Sequence, residues 1–208
     1  MLAAIRALNR LELGGETLRA ALNALACEAP EGLRSGAPLA WSARYAKRGE
    51  DARLPREPSK RALYAQPVGE DGFALLDALE DAAAPDRLRA FPILDTLRRP
   101  WHRHSERRAD GVPTEGRPAA RPVRFKDKRE LPKAAQGLES PYDVDARDRT
   151  KRDTQGRGYM GHVSETCNPS EPYMLTPVHP TSASVHEAKC TAVIEGAMVK
   201  NDLAPDEH

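Results

Sequence analysis

Residues 158–178 run Gly-Tyr-Met-Gly-His-Val-Ser-Glu-Thr-Cys-Asn-Pro-Ser-Glu-Pro-Tyr-Met-Leu-Thr-Pro-Val. Gly158 to Cys167 alternates in part through Tyr159, Val163 and Thr166, and Tyr173 to Val178 is a second short apolar run. Asn168-Pro169-Ser170 lies between them. Asn and Ser side chains bond their own backbone and Pro presets φ, so this is turn chemistry. The spacing predicts a β-hairpin. Gly161 weakens its first strand, and Pro177 confines the second to an edge, because proline donates nothing to a ladder. Residues 185–200 follow as a predicted helix, with Val185, Ala188, Ala192 and Val199 among its apolar positions. Working back from the hairpin, residues 1–100 read as a series of helices, with breaks at Pro30 and at Pro55 and Pro58. The fold class is therefore α+β, a helical N-terminal part followed by a strand hairpin and a helix.

In residues 2–28, Leu2, Ile5, Leu8 and Leu11, then Leu18, Ala21, Leu22 and Leu25, recur at steps of three and four. Gly14-Gly15 predicts a kink or a split there, with Glu16 and Thr17 starting the second piece. Residues 38–50 predict a helix with Leu39, Trp41, Tyr45 and Ala46 as its apolar set. A short helix is expected over 59–67. The clearest helices are 71–83, with Phe73, Leu76, Leu79 and Ala83 on one face, and 86–99, with Leu88, Phe91, Leu94 and Leu97. Pro92 predicts a kink in the second. The first is acidic and the second basic, so the two are matched to pair by charge.

Between 100 and 157 the apolar periodicity fades. Positions 98–152 carry 16 Lys/Arg against nine Asp/Glu, although the whole chain balances 32 against 31. Pro113, Pro118, Pro122 and Pro132 punctuate the stretch, which predicts an extended basic linker over 101–157. The overall balance excludes a uniformly basic nucleic-acid coat and an acidic tail protein. Leu, Ile, Val and Phe total 36 of 208 residues, while alanine alone numbers 32. Alanine favours helix but buries little area, so a thin core is expected. No run of ~18 apolar residues exists to span a membrane. Met1 to Leu13 lacks the features of a secretory signal. Three widely spaced cysteines, Cys27, Cys167 and Cys190, fit a reducing cytoplasm better than a disulfide framework.

Cys167, His179, His186 and Cys190 lie close in sequence, and His186 and Cys190 stand at i, i+4. No CxxC, HxxxH or HExxH occurs, so no metal site is expected. His102 and His104 are two apart, which puts them on different faces of a helix. Ser164, Ser182 and Ser184 have His186 nearby, but no GxSxG elbow frames a nucleophile. Neither GxGxxG nor GxxxxGK[ST] is present. Asp143, Asp145, Asp148 and Asp153 alternate with Arg147, Arg149, Lys151 and Arg152, which predicts mutual neutralisation. What remains is a set of cations suited to a phosphate backbone: Arg121, Arg124, Lys126, Lys128 and Arg129, with Phe125 among them, and then Arg147, Arg149, Lys151 and Arg152. These are the expected DNA-binding residues, with sequence-independent, salt-sensitive affinity.

One block goes further. Ser140-Pro141-Tyr142-Asp143, Ala146-Arg147, Lys151-Arg152, Gly158-Tyr159, His162-Val163-Ser164-Glu165-Thr166-Cys167 and Thr181 to His186 together resemble the central region of DDE insertion-sequence transposases. Leu2 to Leu13 and Gly15 to Asn23 resemble the same family. The resemblance spans nearly the whole chain, least clearly at 105–125. It implies an RNase H-like core in which acidic residues hold two Mg²⁺ ions for attack on a DNA phosphodiester. It also implies that the first catalytic Asp precedes the segment matching Leu2-Ala3-Ala4, and that the second Asp and the Glu follow the segment matching Leu203 to His208. No residue of this chain then serves as a catalytic or metal-binding residue.

On this reading, 1–100 is a helical insertion, 101–157 a basic linker, and 158–208 an incomplete RNase H-like segment. The expected protein is transposase-related, cytoplasmic, without cofactor of its own or membrane contact, inactive in DNA cleavage, and partnered by DNA. Alternatives are a residual DNA-binding or regulatory module and a non-functional pseudogene product. Gly14, Gly32, Gly36, Gly156 and Gly161 stand where the family pattern has larger residues. Asp148 replaces an aromatic there, and Pro177 and Pro180 occupy strand-like positions. A loosely packed helical part and a poorly supported hairpin are expected.

Overall fold

The computed structural model describes residues 9–30, 33, 37–46, 57–107, 123–131, 137–151, 153–165, 170, 172, 174–175 and 178–203. Helix α1 (Arg10–Glu28) begins at Asn9, whose side chain accepts from the backbone N–H groups of Leu11 and Glu12. The Glu12 carboxylate accepts in return from the Asn9 backbone at 2.9 Å. This reciprocal cap satisfies donors that the first turn otherwise leaves unpaired. The helix runs unbroken through Gly14-Gly15, which corrects the expected split. Each glycine costs roughly 1 kcal/mol of helix propensity. Burial of Leu13, Thr17, Leu18 and Ala21 around Gly14 outweighs that cost. A Cβ at Gly14 would meet Val68 at 3.6 Å and Trp101 at 3.9 Å across the helix contact, ordinary contact distances that leave room for a methyl group. Thr17 is fully buried and donates its hydroxyl to the Leu13 carbonyl at 2.7 Å.

Helix α2 (Leu39–Tyr45) buries Trp41 and Tyr45, whereas Leu39 is exposed. Helix α3 (Pro58–Glu80) joins the two segments expected at 59–67 and 71–83, and it contains Pro67. A proline inside a helix removes one i→i−4 bond. The helix continues because Val68, Phe73, Leu75, Leu76 and Leu79 are buried beyond it. At Pro92 the reverse occurs. The expected kink is a break between α4 (Asp86–Arg89) and α5 (Ile93–His104). Leu94, Leu97 and Trp101 form the buried stripe of α5. The acidic and basic helices do pair: Arg98 donates to Glu80 at 2.7 Å.

Strands β1 (Ser105–Arg107) and β2 (Val123–Phe125) then pair antiparallel, Ser105 opposite Phe125 and Arg107 opposite Val123. They lie inside the stretch expected to be a linker. Val123 packs so closely on α3 that a Cβ at Gly69 would come within 2.7 Å of it. The Trp101 indole donates to the Gly69 carbonyl at 3.0 Å, and its ring fills the space a Cβ on Gly72 would need. Leu18, Leu25, Trp41, Val68, Leu94 and Leu97 belong to one continuous cluster with these groups. The expectation of a loosely packed helical part is overturned. The core is assembled from few large side chains, with glycine providing close approach in place of bulk.

The chain divides into two units, Arg6–Val144 and Asp145–His208, so the boundary falls between 144 and 145 and not at 157. The second unit holds β3 (Arg147–Lys151), β4 (Thr154–His162) and β5 (His179–Ser182), in that spatial order and antiparallel throughout. Here the expected hairpin is present with its second strand displaced: β4 pairs antiparallel with the next strand, 159–162 opposite 179–182, and nearer the turn Glu165 bridges Leu175. The turn at 166–169 and Pro177 lie outside the described residues. Pro180 sits opposite Gly161 on the edge strand β5, a position proline tolerates. A 3-10 turn (Glu187–Lys189) leads into α6 (Thr191–Lys200), none of whose residues is buried. At the level the structure shows, the fold class is α+β.

Candidate nucleic-acid interface

The expected DNA-binding residues fall into two groups with different fates. On β2, Arg124 is held by two carboxylates, Glu106 at 2.6 Å and Glu130 in a two-pronged contact at 2.6 and 2.9 Å. Those bonds keep the Glu130 carboxyl down at about 2 and the Arg124 guanidinium above its ordinary value. Lys126 donates its ammonium to the His102 carbonyl at 2.8 Å. Arg129 is exposed, Lys128 opens a 3-10 turn (Lys128–Glu130), and Arg121 lies outside the described residues. The Arg124–Lys126 pair is thus committed to internal partners.

The second group is arranged differently. Strand β4 pairs with β3 only over 154–158 and with β5 only over 159–162. Gly158 stands at this change of partner with φ of 125°, a conformation that disfavours any side chain. Beside it opens a groove of about 660 Å³ lined by the cations Arg149, Lys151 and Arg157, one carboxylate, Asp153, and Gly156, Tyr159, Met160 and Ala183. Tyr159 and Met160 are consecutive yet both border the groove. Tyr159 is 51% exposed. A Cβ at Gly156 would meet nothing within 4 Å, so this part of the groove is bare backbone.

One carboxylate reaches across. Glu187 Oε1 accepts from Arg149 Nη2 at 3.0 Å and from Lys151 Nζ at 2.9 Å. Lys151 first, and then Arg149, hold the Glu187 carboxyl below its usual range. Arg149 Nη1 is buried and has no hydrogen-bond acceptor among the described residues. Arg157 faces Asp148 at 3.5 Å, and Asp148 also accepts from Gln155 at 3.0 Å. Arg147 donates to the Ala146 carbonyl, and Arg152 lies outside the described residues. These pairs are not the expected ones: Asp148 opposes Arg157 across the β3–β4 ladder, and Arg149 and Lys151 take Glu187 from beyond β5, both partners lying outside the neighbouring charges named in the sequence.

Sequence reasoning missed Arg157, Tyr159 and Glu187 as members of this site. Arg149 and Lys151 were legible as cations. The period-two spacing of Arg147, Arg149 and Lys151 is the signal that would have placed them on one strand face. Glu187 carries no such signal, being 38 residues from Arg149.

The other chemistries weighed in the sequence do not assemble among the described residues. Ser182 and Ser184 hydroxyls bond one another at 3.0 Å, while His186 Nδ1 accepts from the Ala188 backbone and caps the 3-10 turn. Cys190 points its thiol at the His186 carbonyl, 3.8 Å away, and Cys167 lies outside the described residues. His162 Nε2 lies 2.9 Å from the Thr181 hydroxyl. No three His, Cys, Asp or Glu side chains among the described residues are placed to hold a metal ion. No described helix is long and apolar enough to cross a membrane. His104 is buried at the end of α5, where its Nδ1 accepts from Arg10 Nε at 3.2 Å. Burial, and then Arg10, Arg103 and Lys126, push its pKa down to about 4.

Comparison of the chain with protein-family models, curated proteins and solved structures finds no match.

Proposed function

We propose that the Asp145–His208 unit binds nucleic acid electrostatically, and that the chain derives from DDE transposases without performing their phosphodiester chemistry. The observation that carries the binding reading is the groove beside Gly158, where Arg149, Lys151 and Arg157 converge with an exposed aromatic ring. Cations in a concave site attract a phosphate backbone and release its counterions, whereas an aromatic ring offers a face to a base. Descent from transposases rests on the sequence resemblance. An antiparallel run of successive strands is compatible with it, and an RNase H-like core belongs to the same proposal.

The test is fluorescence anisotropy of labelled DNA over a range of salt. Binding is expected to weaken as salt rises. An Arg149→Gln/Lys151→Gln variant should lower the slope of log affinity against log salt by about 0.7–0.9, the value for one phosphate no longer neutralised. An Arg124→Gln/Lys126→Gln variant should leave the slope unchanged, because these cations are occupied internally. Equal loss in both variants, or affinity indifferent to salt, would overturn the proposal. For the chemistry, incubation of the protein with Mg²⁺ and supercoiled plasmid should give no nicking turnover. Turnover abolished by a chelator would refute the inactive reading.

A further inference from the structure

We infer that the groove beside Gly158 accepts a single-stranded nucleic acid, one phosphate replacing the Glu187 carboxylate on Arg149 and Lys151 and an adjacent unpaired base lying against Tyr159. This rests on the nucleic-acid reading above and specifies its ligand.

The phosphate position is marked by the protein's own anion. A single oxygen, Glu187 Oε1, accepts from both Arg149 and Lys151 at 3.0 and 2.9 Å. That geometry is the one a phosphate oxygen requires, since both ligands present an anionic acceptor to the same two donors. A phosphate has further oxygens to offer. Arg149 Nη1, buried and without an acceptor among the described residues, is a donor that the carboxylate leaves unserved. An unsatisfied buried donor is costly, so an anion with more acceptors is favoured over the carboxylate it displaces. Glu187 is held by a short 3-10 turn and is itself 43% exposed, so water can take over its carboxylate when it swings away.

The strandedness follows from Tyr159 and from size. A cavity of about 660 Å³ is on the scale of a nucleotide, not of a duplex about 20 Å across. The faces of paired bases are covered by their neighbours in the stack, so a tyrosine ring on a strand meets them only when the bases are splayed out. Gly156 leaves the groove floor without a side chain, and Met160 adds a polarisable apolar wall next to the ring.

The experiment uses the full chain and three labelled or competing probes: an oligothymidylate, a blunt duplex of equal length, and thymidine monophosphate. At moderate salt the oligothymidylate should bind about tenfold or more tighter than the duplex. Tyr159→Leu should weaken single-strand binding about tenfold while leaving duplex binding unchanged, and Tyr159→Phe should retain the wild-type preference. Glu187→Gln should tighten binding of the single strand severalfold, a gain that misfolding cannot produce. The monophosphate should compete only weakly, because one phosphate supplies little of the polymer's electrostatic affinity. Equal affinity for duplex and single strand, with no effect of Tyr159→Leu, would overturn this inference and leave electrostatic binding standing. Tight monophosphate competition would replace the polymer by a nucleotide. Salt-dependent binding of neither polymer would remove both readings.

Discussion

Arg6–Val144 buries Leu18, Leu25, Val68, Leu94 and Leu97 almost completely, whereas Asp145–His208 leaves Val163, Leu175, Val178, Val193 and Val199 more than half exposed. In the second unit the buried apolar side chains among the described residues are small: Ala146, Ala183 and Cys190. Each large side chain fully buried in the first unit contributes roughly 1.5–3 kcal/mol. The second unit relies on ladder hydrogen bonds and exposed ion pairs, which net far less each. The difference explains where a binding surface is found. A face that does not contribute to a core presents Arg149, Lys151 and the half-exposed Tyr159 along a groove, while Arg124 and Lys126 of the first unit are engaged by Glu106, Glu130 and the His102 carbonyl.

The sharpest way to break this contrast is at Gly72. A methyl group there collides with the Trp101 ring, so Gly72→Ala should cost more than about 4 kcal/mol or abolish cooperative melting of the first unit, as read by circular dichroism. An unchanged midpoint would show that α3 and α5 do not pack as described. Next comes a matched pair of truncations. Leu97→Ala should cost about 2–5 kcal/mol in a urea titration, and Val199→Ala on α6 less than about 0.5. Similar costs for the two would erase the distinction between the units.

Pro67→Ala should stabilise the first unit by about 1–3 kcal/mol, since it restores a helical donor where the core already holds α3 straight through. A lower melting temperature would mean that the proline is needed where it stands. The smallest effect is that of acid. The folded His104 titrates near 4, below its unfolded value of about 6.5, so the unfolded state binds the proton more readily. Its contribution is complete above pH 6.5 and is lost as pH falls through 4. After screening by solvent it amounts to roughly 1–2 kcal/mol. His104→Gln, which keeps an acceptor for Arg10, should flatten the profile of stability between those values. A profile as steep as the wild type would assign the acid sensitivity to other groups.

The helical stripes were legible in the sequence because apolar residues at steps of three and four need only one face to be buried. Leu88, Leu94 and Leu97 are buried as that spacing requires. Interruptions were misread where tertiary packing decides. Gly14-Gly15 and Pro67 look like breaks locally, but they sit in helices fastened on both sides. Strand β3 was hidden because Arg-Asp-Arg-Thr-Lys has no apolar alternation, and its pairing with β4 is visible only in register. Likewise β1 and β2 are three residues each and find each other across a long interval. The cations of the groove were visible as residue types. Their assembly was not, because Glu187 and the change of partner at Gly158 are properties of the folded chain.

Helix α1 makes its polar contacts with residues far along the chain. Arg10 donates to the Lys126 carbonyl at 2.7 Å and to His104. The buried Glu16 accepts from Arg19 and, at 2.5 Å, from the Tyr142 hydroxyl. During synthesis this helix leaves the ribosome before any of those distant partners exists. Its carboxylate and guanidinium must wait in water while more than a hundred residues are added, and the enclosing loop is closed only when Tyr142 emerges. Helix α1 is thus completed only when residues near 142 have been made. A ribosome stalled before Tyr142 would carry a nascent chain whose Glu16 is still solvated, and folding of the first unit would show a late step timed by translation and not by helix formation.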